Sequence, residues 1–270
     1  MPHTWSRLAR FTLMTTVISL FFALLATQAF SATPSSNKKL STMSLQTNSI
    51  ELVHGEGKVE FAVIWLHGLG ATADDFPPIV PELSLRTDRA IRFIFPQAPD
   101  RPITINGGMR MPGWYDIKGV DIKDKQDAEG MAESQTLLEA LIQSQIDDGI
   151  PSHHIIIAGF SQGGAVAYFT GLRSQHKLGG ILALSTYLPF AEQSKQAHSA
   201  VNLTTPIFAS HGSFDPVVPV SLGETSVGHL KELGYAVNWQ VYPMEHNVIM
   251  PQIKDIGRWI NGVLSDADSR

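Results

Sequence analysis

Short unbroken apolar runs recur along the chain, each stopped by glycine, proline or a polar turn. Phe61–Leu66 ends at His67-Gly68, Ile91–Phe95 at Pro96, and Ile155–Ala158 at Gly159. Ile181–Leu184 ends at Ser185, and Ile207–Ser210 at His211-Gly212. Val237–Tyr242 alternates more and stops at Pro243. Runs this short, rich in Val, Ile and Leu, suit strands buried on both faces of a parallel sheet. Helical patterns lie between them. Ala128–Asp147 carries Met131, Leu137, Leu138, Leu141, Ile142 and Ile146 at three- and four-residue spacings, and Gly149 closes it. Gly163–Gln175, Glu224–Leu233 and Pro251–Leu264 are expected helices as well. Strand alternating with helix predicts a mostly parallel, doubly wound α/β sheet in one domain. Ligands of such sheets bind beyond the C-terminal ends of the strands, so the chemistry is to be sought just after each apolar run.

The first residues follow a different pattern. Arg7 and Arg10 precede an apolar run from Phe11 to Ala26, and a small-residue stretch reaches Ala32. That order is the layout of a secretory signal peptide. Residues 1–31 are therefore expected to direct export, giving a periplasmic or secreted protein. Phe11–Phe30 is also long enough to just span a bilayer, so an uncleaved anchor holding the chain at a membrane is one alternative. Translation from Met43, which would leave a cytoplasmic protein, is another. Residues 32–49 are rich in Ser, Thr and Asn and predict a flexible linker. The catalytic domain is expected over residues 50–264, with a tail at 265–270.

Composition narrows the function. Hydrophobic residues make up 43% and charged residues 17%, which suits a globular core. The net charge is −5, with no basic run beyond the N-terminus, so a nucleic-acid partner is not expected. The absence of cysteine removes disulfides, thiolate metal sites and a Cys nucleophile together. Asp74-Asp75 lacks companions at ligand spacing and is expected to be a solvated helix start rather than a metal site.

Gly159-Phe160-Ser161-Gln162-Gly163 matches G-x-S-x-G between an expected strand and an expected helix, the context of a nucleophile elbow in an α/β-hydrolase. A serine hydroxyl needs a base to take its proton and an acid to hold that base. In this fold the chain order is Ser, then Asp or Glu, then His. Asp215 lies in a loop stiffened by Pro216 and Pro219, and is expected to be the acid. Of the later histidines, His211 and His246 both follow strands. His211 is too close to Asp215 in sequence to be presented by it, so His246 is expected to be the base. The glycine-flanked loop His67-Gly68-Leu69-Gly70 follows the first buried strand and can aim a backbone N–H at a developing oxyanion. The Leu69 and Gln162 amides are the expected donors, and His67 is expected to be structural.

With these segments assembled, the chain resembles the phospholipase/carboxylesterase family, which includes the acyl-protein thioesterases. The resemblance rests on His67–Ala71 with Asp74-Asp75-Phe76, Phe95–Pro99, Arg101–Thr104, Met111–Asp116 and Gly159–Gly164. Leu184-Ser185 with Leu188-Pro189, His211-Gly212 with Asp215–Pro219, and His246 complete it. It implies a Ser161, Asp215, His246 triad, an oxyanion hole at Leu69 and Gln162, and Trp114 near the acyl pocket. The expected reaction is hydrolysis of a carboxylic ester or thioester of a small-molecule or lipid-like acyl substrate, with no cofactor and no metal. A lysophospholipase or lipase working at membranes is the alternative among enzymes, and a non-catalytic binding protein the alternative outside them. Met244-Glu245 stands where the family has a glycine-rich approach to the histidine.

Overall fold

The computed structural model describes residues 48–119 and 126–267. The expected leader, most of the expected linker and the last three residues of the tail lie outside the described residues. In chain order the described elements are β1 (Ser49–His54), β2 (Val59–Leu66), β3 (Ala90–Pro96), β4 (Asp100–Ile103), β5 (Met109–Pro112) and α1 (Ala128–Asp147). There follow β6 (Ile155–Phe160), α2 (Gln162–Arg173), β7 (Gly180–Leu184), α3 (Ala191–Ala197), β8 (Ile207–Gly212), α4 (Val220–Glu232), β9 (Val237–Tyr242) and α5 (Met250–Ala267).

Seven strands form one sheet in the order β1-β3-β2-β6-β7-β8-β9. Every neighbouring pair is parallel except β1 with β3, so β1 is an antiparallel edge. β4 and β5 pair separately as an antiparallel hairpin. The described residues all fall within one compact unit, Ser44–Arg270.

The period of two in a strand explains why the apolar runs are unbroken. Along β2, Ala62, Ile64 and Leu66 face a core built with α1, α2 and α4. Phe61, Val63 and Trp65 face the opposite core, under α5 and the short 3-10 helix Pro77–Leu83. Both sets are buried, so neither face has room for a polar residue. α1 spends Met131, Leu138 and Ile142 on the first core. Truncating a fully buried aliphatic there costs about 2–5 kcal/mol. The helix ends where expected: Gly149 takes φ +90, its N–H bonds Ile146 O, and the Ile150 N–H bonds Gln145 O. These two bonds satisfy carbonyls that the last turn would otherwise leave open.

Three local features differ from expectation. Ser49 begins β1 rather than closing a linker, because backbone pairing with β3 holds an edge strand whose Ile50, Leu52 and Val53 stay exposed. α4 starts at Val220, four residues before the expected Glu224, immediately after Pro219. Asp74-Asp75 lies in a turn ahead of the 3-10 helix rather than in an α-helix. Among the described residues, no helix is long and apolar enough to cross a membrane, and no group of His, Asp or Glu is arranged to hold a metal ion.

Candidate active site

β6, β8 and β9 release the chain at the same edge of the sheet, and three side chains converge there. Ser161 stands between β6 and α2 with φ 53 and ψ −119, a backbone conformation that L-residues rarely adopt and that costs about 1–3 kcal/mol. It is held from both sides. The Ser161 N–H bonds Leu184 O at 2.8 Å, and its carbonyl accepts the Ala165 N–H at 3.1 Å and the Thr186 hydroxyl at 2.7 Å. The turn also requires bare glycine around it. A Cβ on Gly159 would overlap the backbone of Gly163, and one on Gly163 would lie 2.5 Å from Leu66 O.

Asp215 follows β8. Its Oδ1 accepts the Val217 and Val218 N–H groups at 2.9 and 2.8 Å, which fixes the carboxylate plane and leaves Oδ2 for another donor. That donor is His246 Nδ1, at 2.7 Å. His246 Nε2 is 3.0 Å from Ser161 Oγ. A carboxylate only accepts, so Nδ1 carries the proton and Nε2 is left to accept from the hydroxyl. The Asp215 side chain has no exposed surface, whereas the His246 side chain is 16% exposed. The ring rests against Phe160, 4.8 Å between centroids.

His211 lies beside this line and does not join it. Its Nε2 donates to Val218 O at 2.8 Å and lies 3.4 Å from Asp215 Oδ2. Burial lowers this ring below the ordinary histidine value, against smaller opposing effects of the Val218 carbonyl and the Asp215 charge. His67 is also buried. Its Nδ1–H donates to Gly68 O at 2.7 Å and its Nε2 accepts the Ala98 N–H at 3.1 Å. Burial again lowers the ring, which is consistent with a neutral structural histidine.

Leu69 and Ser161 line the same cavity, together with Gln162. Gln162 opens α2, whose first-turn N–H groups have no partner within the helix. The Gln162 side chain is occupied elsewhere: Oε1 accepts the Trp114 N–H at 2.7 Å and Nε2 donates to Tyr115 O at 2.6 Å. Trp114, expected near the acyl pocket, is fully buried behind it, with its indole N–H on His67 O at 2.8 Å. The surface that reaches the cavity is its neighbour Tyr115.

The cavity measures about 450 Å³, and Ile105, Tyr115, Ile117, Tyr187, Val217 and Val218 form most of its apolar wall. The Tyr115 and Tyr187 hydroxyls bond each other at 2.8 Å, and burial raises both above the ordinary tyrosine value, Tyr115 strongly. They therefore add a neutral end to the wall. Tyr115, Val217 and Val218 lie in segments that carry the family resemblance, but nothing in the sequence marked them as a wall, and Ile105, Ile117 and Tyr187 lie outside those segments. Ile105 and Tyr115 are carried by the β4–β5 hairpin and the chain after it, where no hydrophobic period runs long enough to mark them.

The chain matches the Phospholipase/Carboxylesterase family model over residues 47–264. It is 43% identical over 205 residues to acyl-protein thioesterase 1 of Neurospora crassa, covering 72% of this chain and 83% of that protein. It is 40% identical over 204 residues to acyl-protein thioesterase 1 of Yarrowia lipolytica, covering 73% and 89%. The crystal structure of Zea mays acyl-protein thioesterase 2 superposes with a TM-score of 0.73 at 25% identity, covering 81% of this chain and 99% of that one. These matches overturn the expected periplasmic or secreted location. The relatives are fungal acyl-protein thioesterases, and the family match starts at residue 47, downstream of the basic, apolar and small-residue run that alone carried the expectation. That run is a pattern of composition, which many apolar stretches satisfy. The matched region instead carries the α/β-hydrolase sheet and the cavity above it: the chain belongs to the phospholipase/carboxylesterase family and is a serine hydrolase of ester or thioester bonds.

Proposed function

We propose that Ser161 is the nucleophile, His246 its general base and Asp215 the carboxylate that orients the base, acting on acyl thioesters or esters whose chain occupies the 450 Å³ cavity. The observation that carries this reading is the unbroken line from Asp215 Oδ2 through His246 to Ser161 Oγ, at 2.7 and 3.0 Å. His246 takes the hydroxyl proton as Ser161 attacks the carbonyl carbon. The Asp215 charge stabilises the imidazolium that forms. His246 returns the proton to the departing thiol or alcohol, and water, deprotonated by the same ring, releases the acid.

The oxyanion of each tetrahedral intermediate is assigned to the Leu69 and Gln162 amides, with the N-terminus of α2 adding its dipole. Gln162 suits this role because its side chain is tied back to the Trp114-Tyr115 backbone, which fixes the direction of its own N–H. Trp114 supports the acyl wall from behind. The thioesterase names of the relatives favour a thioester as the natural bond. Purified protein should be labelled by a fluorophosphonate probe and should hydrolyse p-nitrophenyl and thioester acyl substrates, while Ser161→Ala should do neither. An inert wild type, or an active Ser161→Ala, would refute the assignment.

A further inference from the structure

His211 is fully buried near the end of β8, and the mechanism above leaves it without a task. Its contacts supply one. Nε2 donates to Val218 O at 2.8 Å, across the loop that carries Asp215. The Val217 and Val218 N–H groups of the same loop both bond Asp215 Oδ1. One ring thus anchors the peptide stretch that sets the carboxylate plane. The same Nε2 lies 3.4 Å from Oδ2, the oxygen that accepts from His246.

The other nitrogen decides which form of the ring does this. Nδ1 is buried, has no hydrogen-bond partner among the described residues, and packs against Gly223 of α4, where a Cβ would lie 2.6 Å away. A proton on Nδ1 would be a buried donor with nothing to bond, which folded proteins avoid. Burial lowers the ring below the ordinary histidine value, and the His246 ring adds to this, while the Val218 carbonyl, Asp215 and Glu224 oppose it. The ring is therefore a neutral donor, and the charge of Asp215 is left undivided for His246. We infer that His211 is a positioning residue of the triad, which holds the Asp215–Val218 loop so that the carboxylate stays aimed at His246. The inference rests on the triad reading above and adds to it a residue outside the proton path.

A displacement of about 1 Å in such an arrangement can cost about 100-fold in rate. The test is a double-mutant cycle in kcat for a p-nitrophenyl ester, on variants whose circular dichroism matches that of the wild type. His211→Leu fills the site without a donor and should lower kcat about 10- to 100-fold. His211→Gln, whose amide nitrogen can replace Nε2, should recover most of that loss, to within about threefold of wild type. Asp215→Asn alone should cost about 10³- to 10⁴-fold, and adding His211→Leu to it should cost less than about twofold more, because the effect runs through the carboxylate. If His211→Leu does not fold, His211→Asn takes its place, since its shorter amide stops short of Val218 O. A loss below about threefold in the non-donor variant, a loss that His211→Gln does not recover, or equal losses with and without Asp215→Asn overturns the inference while the triad reading stands. Wild-type kcat in Asp215→Asn would overturn both.

Discussion

The loop after β2 and the loop after β9 each bring a histidine to the same edge of the sheet, and the two rings end in opposite conditions. His67 is 2% exposed, with one nitrogen given to Gly68 O and the other taken by the Ala98 N–H. His246 keeps part of its ring in the open cavity, with a buried carboxylate on one nitrogen and a hydroxyl on the other. Following a strand end is therefore not what makes a base. The decisive difference is whether one nitrogen remains for a group that reacts, and whether the ring can hold a proton when it arrives. The Asp215 carboxylate provides for that proton beside His246, whereas the hydrogen-bond partners of His67 are backbone groups of its own loop and the next and the neutral Gln97 amide.

The contrast is broken most severely at His246. His246→Ala should lower kcat/KM by about 10⁴-fold or more and slow fluorophosphonate labelling to match, while the folded protein persists in circular dichroism. A loss below about tenfold would remove His246 as the base. His67→Ala should do the reverse, losing about 2–4 kcal/mol in denaturant unfolding because it empties a buried site and strands the Ala98 N–H. Its folded fraction should still take the probe. A stable His67→Ala protein that fails to label would transfer His67 to the chemistry.

The smallest effect is one of pH. His67 and His211 are both lowered below 6.5 in the folded chain, chiefly by burial. Below 6.5 the unfolded chain then binds more protons than the folded one, so these rings contribute stability that is present above 6.5 and lost as pH falls toward their folded values. Unfolding free energy should decline from pH 7.5 to 5.5, and the decline should be shallower in His67→Gln. Parallel slopes would show that His67 does not titrate differently on folding.

Much of the scaffold could be anticipated because its signals are periodic. The strands buried on both faces announce themselves as unbroken apolar runs, and α1 keeps its expected limits of Ala128 and Asp147 because its apolar spacing and Gly149 agree. β1 was hidden since its position comes from backbone pairing, which leaves no mark in side chains that stay exposed. α3, Ala191–Ala197, buries only Ser194 and so shows no apolar stripe. In the site, Ser161 was legible because a strained turn demands glycines at fixed offsets. Asp215 and His246 were singled out by the Ser, Asp, His order of this fold class, and the structure brings them within hydrogen-bond distance of each other and of Ser161. The cavity wall was not legible: Ile105, Tyr115, Tyr187 and Val217 come from four separate stretches that only the folded chain brings together.

Gln162 has a consequence for anyone reshaping this enzyme. In the mechanism proposed above its backbone N–H serves the oxyanion, while its side chain grips the strip Trp114-Tyr115 beside the cavity. One residue thus couples the place where charge develops to the wall against which the substrate leans. Side chains on that wall can be exchanged at the cost of fit alone. Moving its backbone, by insertion or deletion near Trp114, would also turn the amide, so altered selectivity and lost turnover would arrive together.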